Sequence, residues 1–226
     1  MASSKLSIFK VKLQGDMSWD SIISTVLQMN SKDLHCVINE QNSNYIGGYY
    51  FISIAQNQSI YNFEDSKFET ITINKQNIVK FDIFILSGKM LLWGNKRSSD
   101  ILITTFMQAA CNQLIVDSNK FEYLQLLNNL LNMKDIRFSK MKITDVVIDE
   151  GIVANCSVCL SSLDNPQGMI QKYKNCISQL TILIEKSINP ISLTLYSSGA
   201  VVISKDRDDI DDEALEIINI IVGGEL

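Results

Sequence analysis

The residues in this chain that could do chemistry are few and poorly partnered. His35 is the single histidine and sits in a short apolar run. General acid–base or nucleophilic catalysis would need a partner base or nucleophile that the sequence does not supply, so a structural or surface role is expected. Cys156-Ser-Val-Cys159 has zinc-knuckle spacing. No second CxxC or pair of histidines follows it, and both cysteines fall in a strand-like stretch, so metal binding is not expected there. The chain contains no Gly-rich phosphate loop of the GxxxxGKS or GxxxxGKT type, and no carboxylate pair stands apart from solvated charge. These residues point to a binding protein rather than an enzyme, with no cofactor and no metal.

Charge narrows what could be bound. The net charge is −5, but residues 1 to 113 carry 10 basic and 9 acidic side chains, while residues 114 to 226 carry 10 basic and 16 acidic. Much of the surplus lies in Asp206, Asp208, Asp209, Asp211, Asp212 and Glu213. Acids placed there suit the N-cap and first turn of a final helix, and phosphates would avoid them. No apolar run approaches the roughly 20 residues that cross a bilayer, and Met1-Ala-Ser-Ser-Lys5 has no apolar signal core, so no membrane partner is expected. Five cysteines, scattered and odd in number, fit a reducing intracellular compartment better than a disulfide framework.

The elements that must carry any binding surface show a repeat. Phe81-Asp-Ile-Phe-Ile-Leu-Ser-Gly88-Lys-Met-Leu-Leu-Trp reads as an apolar strand, a Ser-Gly turn and a second apolar strand, followed after a polar break by a helical pattern from Ser99 to Ala110. Ser192-Leu-Thr-Leu-Tyr-Ser-Ser-Gly199-Ala-Val-Val-Ile repeats that order and leads into a helical pattern from Asp211 to Val222. Other strands are expected at Lys5 to Leu13, Leu34 to Asn39, Tyr45 to Ala55, Glu69 to Asn74, Ile78 to Leu86, Lys140 to Ile148, Ile152 to Leu160 and Leu180 to Glu185. Helices are expected from Ser18, over Phe121 to Met133 and over Gln167 to Ile177. Asn57 to Asp65 reads as a polar loop, and Asn189-Pro190 as a turn. With 46% hydrophobic residues in a chain of 226, there is enough apolar material for one extended core or two small ones.

The repeated segments resemble the TATA-box-binding protein family. Ile83-Phe-Ile-Leu-Ser-Gly-Lys-Met-Leu-Leu-Trp-Gly-Asn-Lys96 is similar to that family's strand–turn–strand signature, and Leu195-Tyr-Ser-Ser-Gly-Ala-Val-Val-Ile203 to its counterpart in a second repeat. Tyr61-Asn62 with Phe68, and Tyr173 through Pro190 to Tyr196, resemble the segments that precede each signature. Ile152 to Val158 looks like the opening strand of repeat two, and Ile8 to Ile23, with Gly15 at its turn, like the opening strand and helix of repeat one. The resemblance implies an α+β fold: a duplicated saddle, with a curved antiparallel sheet and the helices on its convex face. It implies residues 1–118 as repeat one, 119–136 as a linking helix and 137–226 as repeat two.

The implied function is that of a general transcription initiation factor that docks in the minor groove of double-stranded promoter DNA and recruits transcription factors or RNA polymerase subunits. In that family apolar wedges open base steps and kink the duplex. Carried over residue by residue, Phe68 and Ile85 take wedge places in the first lobe and Tyr196 in the second, with Val153 on the same DNA face. Lys89 and Lys96 keep the family's cations, and Arg207 stands in for one in repeat two. Departures are also plain: Ser178 replaces a wedge, Ala200 replaces a cation, Ser7 and Gly151 stand where paired asparagines are expected, and Lys174, Asn175 and Cys176 follow Tyr173 where an acidic pair is expected. So divergent and acidic a copy suits a protist or a large DNA virus, with the nucleus or a cytoplasmic viral factory as its location. The alternative is a protein–protein interaction module of the same fold that does not bind DNA, and a third reading is an accessory subunit of an enzyme.

Overall fold

The first strand is the axis of the molecule. In the computed structural model, which describes residues 4–130, 133–185 and 190–222, β1 (Ser4–Leu13) has partners on both edges. Along one edge, Leu6 to Lys10 pair antiparallel with β5 (Lys89–Trp93). Along the other, Ser4 to Ser7 pair with β11 (Ala200–Ile203) and Phe9 to Leu13 pair with β6 (Leu114–Ser118).

From β5 the sheet runs outward through β4 (Lys67–Phe84) and β3 (Tyr45–Asn62) to β2 (Leu34–Gln41). From β11 it runs through β10 (Ile191–Tyr196), β9 (Ile177–Ile184) and β7 (Ile136–Asp149) to β8 (Ile152–Cys159). The result is an α+β protein with one large, curved antiparallel sheet, of eleven strands among the described residues.

Five α-helices are present among the described residues. The cap residues explain where several of them start. Ser18 Oγ accepts from the Ser21 N–H to open α1 (Trp19–Gln28). Asn95 Oδ1 accepts from the Ser98 N–H to open α2 (Lys96–Ala109). Asn165 caps α4 (Pro166–Lys172), with Pro166 in its first turn. Asp211 accepts from the Ala214 N–H to open α5 (Asp212–Ile221), and Asp212 and Glu213 lie in its first turn, the dipole-favoured use expected of that acidic run. The fifth, α3 (Tyr123–Leu130), lies inside the segment expected to link the halves. Its Tyr123, Leu126, Leu127 and Leu130 are buried in core, so it packs rather than merely connects.

Alternation along β1 and β5 separates two cores. Met90 and Leu92 face one side with Val11, Phe81 and Ile83, and α1 and α2 close over them through Ile22, Ile23, Val26, Leu102 and Phe106. Leu91 and Trp93 face the other side with Leu6, Ile8, Leu193 and Val201, and α3, α4 and α5 close over these. The expectation of helices on one convex face is therefore corrected: the helices of the first half cover one face of the sheet and those of the second half cover the opposite face. The physical cause is visible in Met90-Leu-Leu-Trp93, four consecutive buried apolar residues, which need cover on both sides.

Other expectations change as well. The polar stretch Asn57 to Asp65 is mostly strand, because β3 and β4 form one continuous hairpin from Tyr45↔Phe84 to Asn62↔Lys67. The two strands expected within 69–86 are likewise one, β4. The strand Ile152 to Val158, expected to open repeat two, lies in the outermost strand β8, paired among the described residues with β7 alone. Asn189 of the Asn189-Pro190 turn lies outside the described residues, as do positions 131 and 132 of the helix expected over Phe121 to Met133. Both Ser-Gly turns are present, with Gly88 at φ +60° and Gly199 at φ +89°.

Burial of ionisable groups gives the fold an alkaline limit. Cys36 is 2% exposed in the α1/α2-covered core, and burial pushes its thiol up to about 11. Burial also raises the Tyr123 hydroxyl. A thiol with a folded pKa above its unfolded value favours the folded state while protonated. Its contribution, on the order of 1–2 kcal/mol, is complete below about pH 9 and is lost as the pH rises through about 11. Melting temperature should therefore hold steady up to about pH 8.5 and fall between 9 and 11. Cys36→Ala should flatten the first part of that fall; an unchanged profile in the variant would assign the effect elsewhere.

Candidate interaction surfaces

Among the described residues, the hairpin strands β3 and β4 beyond Ile52 and Ile78 have only each other as strand partners. The segment from Ser53↔Gln76 to Asn62↔Lys67 is a two-stranded ribbon roughly 30 Å long. Its tip is built locally. Asn62 Oδ1 accepts from the backbone N–H groups of Glu64 (2.9 Å) and Asp65 (3.4 Å), and Asn62 Nδ2 donates to Glu69 (3.1 Å). Ser66 takes a left-handed conformation at φ 52° to close the turn.

Three aromatic rings occupy this tip. Tyr61 meets Phe63 and Phe68 edge to face, each at 5.1 Å between centroids. Phe63 is 86% exposed and Phe68 73% exposed. Lys67 bridges to Asp65 (3.1 Å) and Glu69 (3.7 Å), which leaves the tip with Glu64 and a net acidic rim.

The seven residues expected to contact DNA do not share a surface. Phe68 stands at the ribbon tip, whereas Ile85 follows the far end of the same strand and packs against the α1/α2-covered core. Seventeen residues of extended chain separate the two by roughly 55 Å, so they cannot be partner wedges. Lys89 lies opposite Lys10 across the β1–β5 pair, on the side of Leu91 and Trp93. Arg207, in a 3-10 turn (Arg207–Asp209), packs its guanidinium over the Trp93 ring at 5.3 Å, on that same side. Lys96 is exposed in the first turn of α2, on the opposite side.

Tyr196 and Val153 do come together on one open expanse. Along β10 and β9, Leu195 and Leu180 point into the core, so Tyr196 and its partner Gln179 point the other way. Lys140 and Lys142 of β7 pair with Thr181 and Gln179 on that same side, and Val153 pairs with Val147, both largely exposed.

Cys156 and Cys159, three residues apart on β8, point to opposite faces. Cys156 packs against the core covered by α3, α4 and α5, while Cys159 is exposed, with hydrogen bonds from Ser161 and Ser162 lowering its thiol pKa. His35 is exposed on β2, with its ring 6.4 Å from that of Phe51. Among the described residues no group of three or more His, Cys, Asp or Glu side chains is placed to hold a metal, and no helix is long and apolar enough to cross a membrane.

No family model matches this chain, and no curated protein matches it by sequence. Its function has to be argued from these surfaces. Phe63, which shares the ribbon tip with Tyr61 and Phe68, carries no signal of its own in the sequence, because Ser, Asn, Gln and Thr outnumber apolar residues around it. The usable signal was the strict alternation Thr70-Ile-Thr-Ile73, which needs a partner strand of equal length.

Proposed function

We propose that this chain is a non-catalytic binding protein that engages another protein through the tip of its β3–β4 ribbon. The observation that carries this reading is the cluster of Tyr61, Phe63 and Phe68, held clear of the sheet with most of the area of both phenylalanines in solvent. Contiguous exposed aromatics on a soluble surface are costly unless something covers them, and aromatic anchors are the residues that most often dominate interface energy. The acids Glu64, Asp65 and Glu69 around them fit a partner with an apolar pocket rimmed by basic side chains.

The saddle reading has its own support and leads to a second, narrower proposal. The element order of the second half, β6–α3–β7–β9–β10–β11–α5, parallels that of the first, β1–α1–β2–β3–β4–β5–α2, with β8 and α4 as an excursion. That parallel, with the two Ser-Gly turns, supports a duplicated unit resembling the TATA-box-binding protein. In that reading the DNA surface is confined to the open face of the second half, where Tyr196 and Val153 lie with Lys140 and Lys142, and transcription factors or polymerase subunits would be the protein partners.

One comparison separates the two. A Phe63→Ser/Phe68→Ser variant should lose the partner retained by the unaltered chain. With that partner purified, affinity should fall about 100-fold or more, since truncating each hot-spot aromatic costs about 2 kcal/mol or more. A partner bound equally by the variant would overturn the ribbon reading. Salt-dependent binding to a labelled A·T-rich duplex, with a slope reduced by about 1 for each of Lys140 and Lys142 replaced by Ala, would establish the DNA reading instead.

A further inference from the structure

At the end of the β3–β4 hairpin farthest from the ribbon tip, on the side away from α1 and α2, a cavity of about 620 Å³ opens between β3, β4, β5 and α5. Asp82 lies in its wall and is only 8% exposed. Its Oδ1 accepts from the Tyr45 hydroxyl at 2.7 Å and its Oδ2 from the Trp93 indole N–H at 3.0 Å. Both donors are neutral, so they orient the carboxylate without cancelling its charge, and each oxygen keeps acceptor capacity. Burial, and next the charge and hydrogen bond of Asp82, hold the Tyr45 hydroxyl well above its ordinary value, which keeps it a donor.

Arg207 lines the same cavity from the other side of the indole. Among the described residues its Nε is buried with no hydrogen-bond partner, and it forms no ion pair with Asp82. A nearly buried carboxylate and a half-buried guanidinium thus line one partly open cavity with no ion pair between them, and a ligand carrying both signs of charge would satisfy both. Phe84, Leu86 and Leu215 supply an apolar wall.

We propose that this cavity binds a small zwitterion with an apolar tail, in chemical class an α-amino acid. Its ammonium donates to Asp82, its carboxylate accepts from Arg207, and its side chain lies against Phe84, Leu86 and Leu215. The volume is within the range of small-molecule sites. A nucleotide fits less well, because its phosphates would bring several negative charges toward Asp82 and the Trp93 face that could stack a base already carries Arg207.

The test is calorimetric titration of the full chain with L-phenylalanine and L-leucine, beside two half-ligands: phenethylamine, which lacks the carboxylate, and 3-phenylpropionate, which lacks the ammonium. Each half-ligand should bind about tenfold more weakly or worse, having lost one charge-assisted contact. Arg207→Met keeps most of the packing on Trp93 and should lower L-phenylalanine affinity to the level of phenethylamine, while leaving phenethylamine unchanged. Asp82→Asn should abolish the preference over 3-phenylpropionate. Absence of binding by both amino acids at millimolar concentration overturns the proposal, as does equal affinity for zwitterion and half-ligands or an Arg207→Met variant that binds L-phenylalanine as the unaltered chain does. The ribbon tip is untouched by these variants, so the outcome is independent of its role.

Discussion

Leu91→Ala and Leu92→Ala should each destabilise the protein by about 2–5 kcal/mol, although the two side chains point in opposite directions from one strand. Both are buried, Leu92 in the core closed by α1 and α2, Leu91 in the core closed by α3, α4 and α5. A sheet with a solvent-facing concave side would tolerate one of the pair, since an exposed truncation usually shifts stability by less than about 0.5 kcal/mol. Because the two residues lie in separate clusters, their costs should be close to additive in the double variant. Urea denaturation measures all three, and a negligible cost for either single variant would mean that one face of β5 is open after all.

Alanine at Gly199 should be nearly as damaging for a different reason. The residue sits at φ +89°, and a Cβ there would overlap the Asn119 carbonyl oxygen. That carbonyl cannot simply retreat, because the Asn119 N–H donates to the Ile8 carbonyl at 3.0 Å and so ties the segment to β1. Strain and overlap together should cost about 3–5 kcal/mol. Gly151→Ala provides the control: φ is +76°, but a Cβ meets nothing within 4 Å, so only the backbone term of about 1–2 kcal/mol should appear. Thermal melts of the two variants, read side by side, distinguish a close approach from a conformational preference. Equal losses would remove the packing role assigned to Gly199.

Much of the scaffold could be read from residue order alone, where local chemistry decides it. The Ser87-Gly88 and Ser198-Gly199 turns, the helices that follow them and the capping use of Asp211 to Glu213 are all set by neighbours within a few residues. Pairing between distant segments was harder to read. The ribbon looked like a loop because its strands bury little and are held by each other; only the register Asn57↔Thr72 gives the polar residues a reason to be extended. The division of helices between two faces was written in Met90-Leu-Leu-Trp93, but it becomes legible only once Leu6 and Ile8 are seen opposite Trp93 and Leu91. The resemblance implies that Phe68 and Ile85 are partner wedges, but one continuous strand, β4, runs between them. The Asp82–Tyr45–Trp93 group could not be found by spacing, since its members come from three strands and meet only through register.

The first strand also sets an order of events. β1 is synthesised before the other strands of this sheet, yet Ser4 to Ser7 wait for β11 and Phe9 to Leu13 wait for β6. Until β11 and α5 are made, half of one β1 edge lacks its strand, and the core that holds Leu6, Ile8, Leu91 and Trp93 lacks Val201, Ile203, Ile217 and Ile218. Pairings of such long sequence separation form slowly, and unpaired edges beside exposed apolar side chains are where nascent chains associate wrongly. The interval between synthesis of β5 and of β11 is therefore the one in which the sheet is unfinished at β1, with an open strand edge beside apolar side chains that the complete fold buries.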